Sequence, residues 1–65
     1  MNILVNDTAT EVPDGTTVAD LLRLLDKQQH VAVELNMEVI PRRDHVQVVL
    51  ESGDAVELVT LVGGG

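Results

Sequence analysis

The chain runs out through Val59-Thr60-Leu61-Val62 into Gly63-Gly64-Gly65, so its last carboxylate stands behind three consecutive glycines. That carboxylate is ionised at neutral pH, with a reference pKa of about 3.5. Glycines let backbone approach backbone where any Cβ would clash, and four extended residues reach about 13 Å beyond a fold. Such an end has the shape for threading into a narrow channel of another protein. A carboxylate delivered there can attack the α-phosphorus of ATP and become an acyl-adenylate, which a sulfur or amine nucleophile then displaces. A glycine run at a chain end also reads as a frayed terminus. Composition alone leaves both readings open.

Other chemistry has less to work with. His30 and His45 are the two histidines, and neither stands beside a Ser or Cys nucleophile in a recognisable motif. His30 reads as a junction residue where a cation is welcome near a helix C-terminus, and His45 as a partly packed loop residue. The histidines and eleven scattered carboxylates do not match a metal site of known spacing. No phosphate-binding glycine loop, dinucleotide fingerprint or calcium loop is present. The expectation is no catalytic residue and no metal ligand in the chain itself. Arg42 and Arg43 supply half of the four positive charges and read as solvated loop charges paired with nearby acids.

Composition sets the outer bounds. Sixty-five residues make one small domain with room for a single core and not for an enclosed active-site cavity. The apolar 45% is almost entirely Val, Leu, Ile and Ala, with no aromatic residue and no cysteine. Disulfides and thiolate chemistry are therefore excluded. A net charge of −7 repels phosphate backbones, and without aromatics there are no platforms on which bases could stack. Nucleic-acid binding is not expected. The apolar runs fall far short of the ~20 residues of a membrane span, and the start lacks a basic signal region, so a cytoplasmic domain is expected.

Local patterns then give the elements. Ile3, Leu4 and Val5 make a first strand. Asn6-Asp7 makes a turn, and residues 8–12 a returning strand that ends at Pro13-Asp14-Gly15. In residues 16–29, Thr17 is the expected N-cap with Asp20 closing a capping box. Val18, Leu21, Leu22 and Leu25 form one apolar stripe, with Leu24 just off it. Val31, Val33 and Leu35 alternate with Ala32 and Glu34 in a half-buried strand. Asn36-Met37 makes a turn before a short strand that Pro41 ends. Residues 42–49 fit a helical turn or a loose crossover. After the Ser52-Gly53-Asp54 turn, residues 55–62 alternate as the last strand. One helix covers one face of a sheet, and the first and last strands fall together at its centre. The predicted fold is α+β: a β-grasp with a mixed four- to five-stranded sheet and one main helix across one face. The domain spans residues 1–62, with 63–65 as a flexible tail.

Four stretches, MNILVND, DGTTVADLL, VAVELNMEVIPRRD and SGDAVELVTLVGGG, together resemble the ThiS family of sulfur carriers in thiamine (thiazole) biosynthesis, within the ubiquitin-like β-grasp group. The combination of LNMEVIPR, SGDxVE and a terminal Gly-Gly carries the specificity; Gly-Gly by itself does not. Relatives often carry Gly where Met37 stands and an aromatic where His45 stands. The resemblance implies that the Gly65 carboxylate is adenylated by an E1-like adenylyltransferase that consumes ATP. It then becomes a thiocarboxylate with sulfur relayed from a cysteine desulfurase, and thiazole synthase takes that sulfur. The chain would be a carrier rather than an enzyme, with no bound cofactor. Gly63 and Gly64 would form a thin neck. Val59, Leu61 and Val62 would touch partners, while alternation turns Val56 and Leu58 toward the helix. The alternatives are a carrier for another pathway (molybdopterin or tRNA thiolation), a ubiquitin-like modifier, or an interaction module with an inert tail.

Overall fold

The computed structural model describes residues 1–27 and 31–60. Two of its connections are two-residue turns that open with asparagine. β1 (Asn2–Val5) returns as β2 (Thr8–Glu11) through Asn6 and Asp7, at φ of 48° and 68°. β3 (Val31–Leu35) returns as β4 (Glu38–Ile40) through Asn36 and Met37, at 51° and 72°. Positive φ at both central residues is the turn whose twist matches the flanking strands, and Asn and Asp tolerate it better than most side chains. Met37 does not share that tolerance, and it is 95% exposed, so packing gives nothing back. Glycine would hold this conformation without the strain that the Met37 side chain brings.

β5 (Ala55–Thr60) closes the sheet in the order β2-β1-β5-β3-β4. It runs parallel to β1 and antiparallel to β3, which gives the predicted mixed sheet of five strands with the first and last elements central. Ile3, Val5, Val33, Val56 and Leu58 bury one face of this sheet, and Val18, Leu21 and Leu22 meet them from the helix α1 (Val18–Leu24). Val12 and Leu50 complete an all-aliphatic core, each member of which gains roughly 1.5–3 kcal/mol from burial. A helix of seven residues is too short to persist alone, so this packing holds it.

The helix starts as expected. Thr17 caps it with its hydroxyl accepting from the Asp20 amide at 3.0 Å, and the Asp20 carboxylate accepts from the Thr17 amide at 3.2 Å. It ends earlier than residues 16–29 suggested. Asp26 swings to a φ of 57°, its amide donates to the Arg23 carbonyl, and the Lys27 amide reaches back to the Leu22 carbonyl at 2.8 Å. That pair of bonds is the left-handed stop usually given to glycine, here carried by an aspartate. The polar run Asp-Lys-Gln-Gln offered no glycine to mark it.

Residues 42–49 resolve into a 3₁₀ turn over Arg42–Asp44 followed by a crossover tied beneath the helix start. The Val18 and Ala19 amides donate to the carbonyls of Val48 and His45 at 2.9 and 3.0 Å, so the helix's own first donors organise the loop. His45 departs from its expected role as a partly packed loop residue. It is only 6% exposed, and its Nε2 lies 3.1 Å from the Ile40 carbonyl. Its ring is thus packed into the domain between the end of β4 and the helix start, whose Ala19 amide donates to the His45 carbonyl.

Two outcomes follow from these local features. Met37→Gly should stabilise the domain by about 1 kcal/mol in urea titrations followed by circular dichroism, since it removes a left-handed strain. The Thr17 amide, the Thr17 hydroxyl and the Arg23 guanidinium hold the Asp20 carboxyl below its ordinary value of 3.8. A depressed folded-state pKa adds stability that is present above pH 3.8 and lost as pH falls through the folded value. The stability gap between the wild type and Asp20→Asn should therefore be full at neutral pH and shrink steadily on acidification below that point. A gap independent of pH would refute it.

Candidate functional site

Strand register decides what the last strand presents. Val56 and Leu58 face the helix, so Ala55, Glu57 and Val59 face away from it, as the alternation predicted. Across the ladder Val59 stands opposite Ala32, and Glu57 stands opposite Glu34, which is itself opposite Val39 on β4. Leu4 adds to the same face from β1, beside Ala55. Val59 is 53% exposed and Val39 65%, and every one of these residues is open to solvent. The face away from the helix is thus an apolar strip with a pair of acids set side by side in it.

That acid pair is unfavourable in the isolated domain, because like charges directly opposite on neighbouring strands repel. No described cation pairs with either acid. Among the described residues the ion pairs are Arg23 with Asp20 and the N-terminal ammonium with Asp14. Arg42 and Arg43 pair with no carboxylate there, contrary to the expectation of neighbouring acids. Arg42 instead edges two open surface grooves, one against Ala19, Leu22 and Val46 and one against Val31, Val39 and Pro41.

The described residues hold no assembled reaction centre. An open depression of about 440 Å³ lies between the Pro13–Thr16 turn and Asp20, Arg23 and Leu24. The Thr16 hydroxyl in it is committed to the Pro13 carbonyl at 2.6 Å. No three ligating side chains gather among the described residues. Of the predicted site, Val59 is in place on the outer face. Leu61, Val62, Gly63, Gly64 and Gly65 lie outside the described residues, as do His30 and the expected domain boundary at 62. Sequence reasoning does not single out the acid pair Glu34–Glu57 or Val39. Alternation places each of them outward, but only the register sets Glu34 against Glu57.

Comparison with known proteins shows the family. The model of the ThiS family matches residues 2–65, through the last glycine. The chain belongs to the ThiS family. It is 36% identical to the sulfur carrier protein ThiS of Escherichia coli over the whole length of both chains. The crystal structure of the thiamine biosynthesis protein ThiS from Geobacter metallireducens superimposes with a TM-score of 0.86, at 38% identity and full coverage of both chains. A protein of Paramagnetospirillum magneticum named thiazole synthase is 35% identical over all of this chain, which spans 20% of that protein. Membership agrees with the β-grasp sheet order described above. No described helix is long and apolar enough to cross a membrane.

The acid pair gives a direct check on the face. Glu57→Lys turns the cross-strand repulsion into an attraction and should raise the stability of the isolated domain by about 0.5 kcal/mol. Equal or lower stability, with the sheet intact by circular dichroism, would mean that the two carboxylates are not felt as a pair.

Proposed function

We propose that this ThiS-family chain acts as a sulfur carrier for building the thiazole ring of thiamine, with the Gly65 carboxyl as the sulfur-bearing group. The observation that carries the reading is the family match running through residue 65, the last of the three glycines. A carboxylate oxygen of Gly65 attacks the α-phosphorus of ATP on an E1-like adenylyltransferase, and pyrophosphate leaves. A sulfur nucleophile, supplied through a cysteine desulfurase, attacks the carbonyl carbon of the acyl-adenylate. AMP leaves; with sulfide as nucleophile the terminus is then a thiocarboxylate, and with a persulfide a thiol next cleaves the acyl disulfide, which releases the thiocarboxylate and a new disulfide. The chain needs no thiol, since the sulfur rides on the main chain, and it has no cysteine.

The domain's part is presentation. It acts as the protein substrate of its partners rather than as a catalyst, and the activating partner consumes the ATP. Gly63 and Gly64 form a neck narrow enough for an enclosed active site, while Val59, Leu61 and Val62 lead into it and touch the partner. Thiazole synthase is the sulfur acceptor. The thiazole synthase that contains a stretch similar to this whole chain supports that pairing, because a carrier and its acceptor profit from being joined. All of these steps belong in the cytoplasm.

Intact mass after incubation with the adenylyltransferase, ATP and a sulfide source tests the reading. The wild type should gain the difference between one sulfur and one oxygen, and a chain lacking Gly64 and Gly65 should gain nothing. Val59→Asp should fold normally and label several-fold more slowly. No gain in the wild type with an enzyme active on its own carrier would sink the proposal. Unchanged labelling of Val59→Asp would remove that residue from the contact.

A further inference from the structure

β5 is held unequally on its two sides. Against β3 it pairs along its length, from Leu35↔Val56 to Val31↔Thr60. Against β1 the ladder ends at Val5↔Val56, so the last four residues of β5 have no strand on that side. One side chain takes over. The Asn6 Oδ1 accepts from the Leu58 amide at 2.7 Å, and the Asn6 Nδ2 donates to the Leu58 carbonyl at 3.2 Å. The Asn6 amide itself donates to the Val56 carbonyl at 2.9 Å. A carboxamide carries one acceptor and two donors in the plane of a peptide group. Asn6 therefore stands in for the strand residue that β1 lacks.

Thr60 is the next residue of β5 whose backbone faces this side. Nothing among the described residues holds it there. The fastening thus stops at Leu58, seven residues before Gly65. Released from Asn6, β5 is held on this side only as far as Val56. Residues 57–60 then keep only their pairing with β3, so the end of β5 is fastened on one side alone, and the added freedom must be given up when a partner takes the strand end.

We propose that Asn6 is a positioning residue that fixes the point and direction at which the tail leaves the sheet. It does so by pairing its side-chain amide with both backbone groups of Leu58. The consequence for tail modification rests on the sulfur-carrier reading above; the fastening itself does not.

Asn6→Gly isolates the side chain, because glycine keeps the turn's positive φ at no steric cost. Val12→Ala, a buried core change just past β2, which lies two strands from β5 in the sheet, serves as a control for stability alone. In Asn6→Gly, amide exchange at Leu58 should speed about tenfold and the Thr60 amide should gain fast motion by ¹⁵N relaxation. With the chain as varied substrate of the adenylyltransferase, KM should rise about tenfold at nearly constant kcat, and Val12→Ala should not shift KM. An unchanged KM in Asn6→Gly, or an equal rise in Val12→Ala, would overturn the positioning role. Unchanged relaxation at Thr60 would overturn it whatever the enzyme does. Failure of the wild type to be adenylated would count against the sulfur-carrier reading instead, with exchange and relaxation still deciding what Asn6 does.

Discussion

Val56 and Leu58 enter the core from a strand that the two hairpins reach from opposite sides, and nearly every other contact in the domain depends on that meeting. The β1–β2 hairpin touches β5 through two residue pairs and the Asn6 carboxamide. The β3–β4 hairpin touches it through five pairs and through Asn36, whose Oδ1 accepts from the Ala55 amide. Both asparagines open two-residue turns, and both spend their side chains on β5. The same residue type thus shapes a turn and closes a sheet. Asn6 and Leu58 are 52 positions apart, so the ordering entropy for this meeting is met by burying the aliphatic core beneath it.

Much of this was legible from residue order. The alternation in VAVEL and AVELV marks inward and outward positions correctly, and the capping box at Thr17 and Asp20 sits where the pattern put it. Strand, turn and cap signals are short-range, so a one-dimensional reading holds them. The misreadings share another character. The helix stop is set by a left-handed Asp26 rather than by a glycine or proline, and nothing in Asp-Lys-Gln-Gln announces it. The burial of His45 depends on a crossover that the helix amides capture from 26 residues or more away.

The site divides the same way. An outward Val59 follows from alternation. The Glu34–Glu57 pair and the Asn6 clamp need the register between strands distant in sequence, which no local pattern supplies. The tail needs no fold to be noticed, since three glycines before a carboxylate are visible as they stand. The two faces of the sheet have separate duties. The inner one is wholly aliphatic and holds the domain together, while the outer one keeps opposed acids that weaken the isolated domain.

The central place of β5 ties completeness to foldedness. It is the last of the five strands in sequence and the third in the sheet, so a chain cut short before it would leave both hairpins with their inner edges bare. Pairing with it is long-range and cannot begin until its residues exist. A molecule that has acquired this architecture has thereby proved that synthesis went past Leu58. A chain ended before β5 lacks both the strand that the two hairpins pair with and the Val56 and Leu58 side chains of the core. The fold inspects its own C-terminal half before any enzyme does.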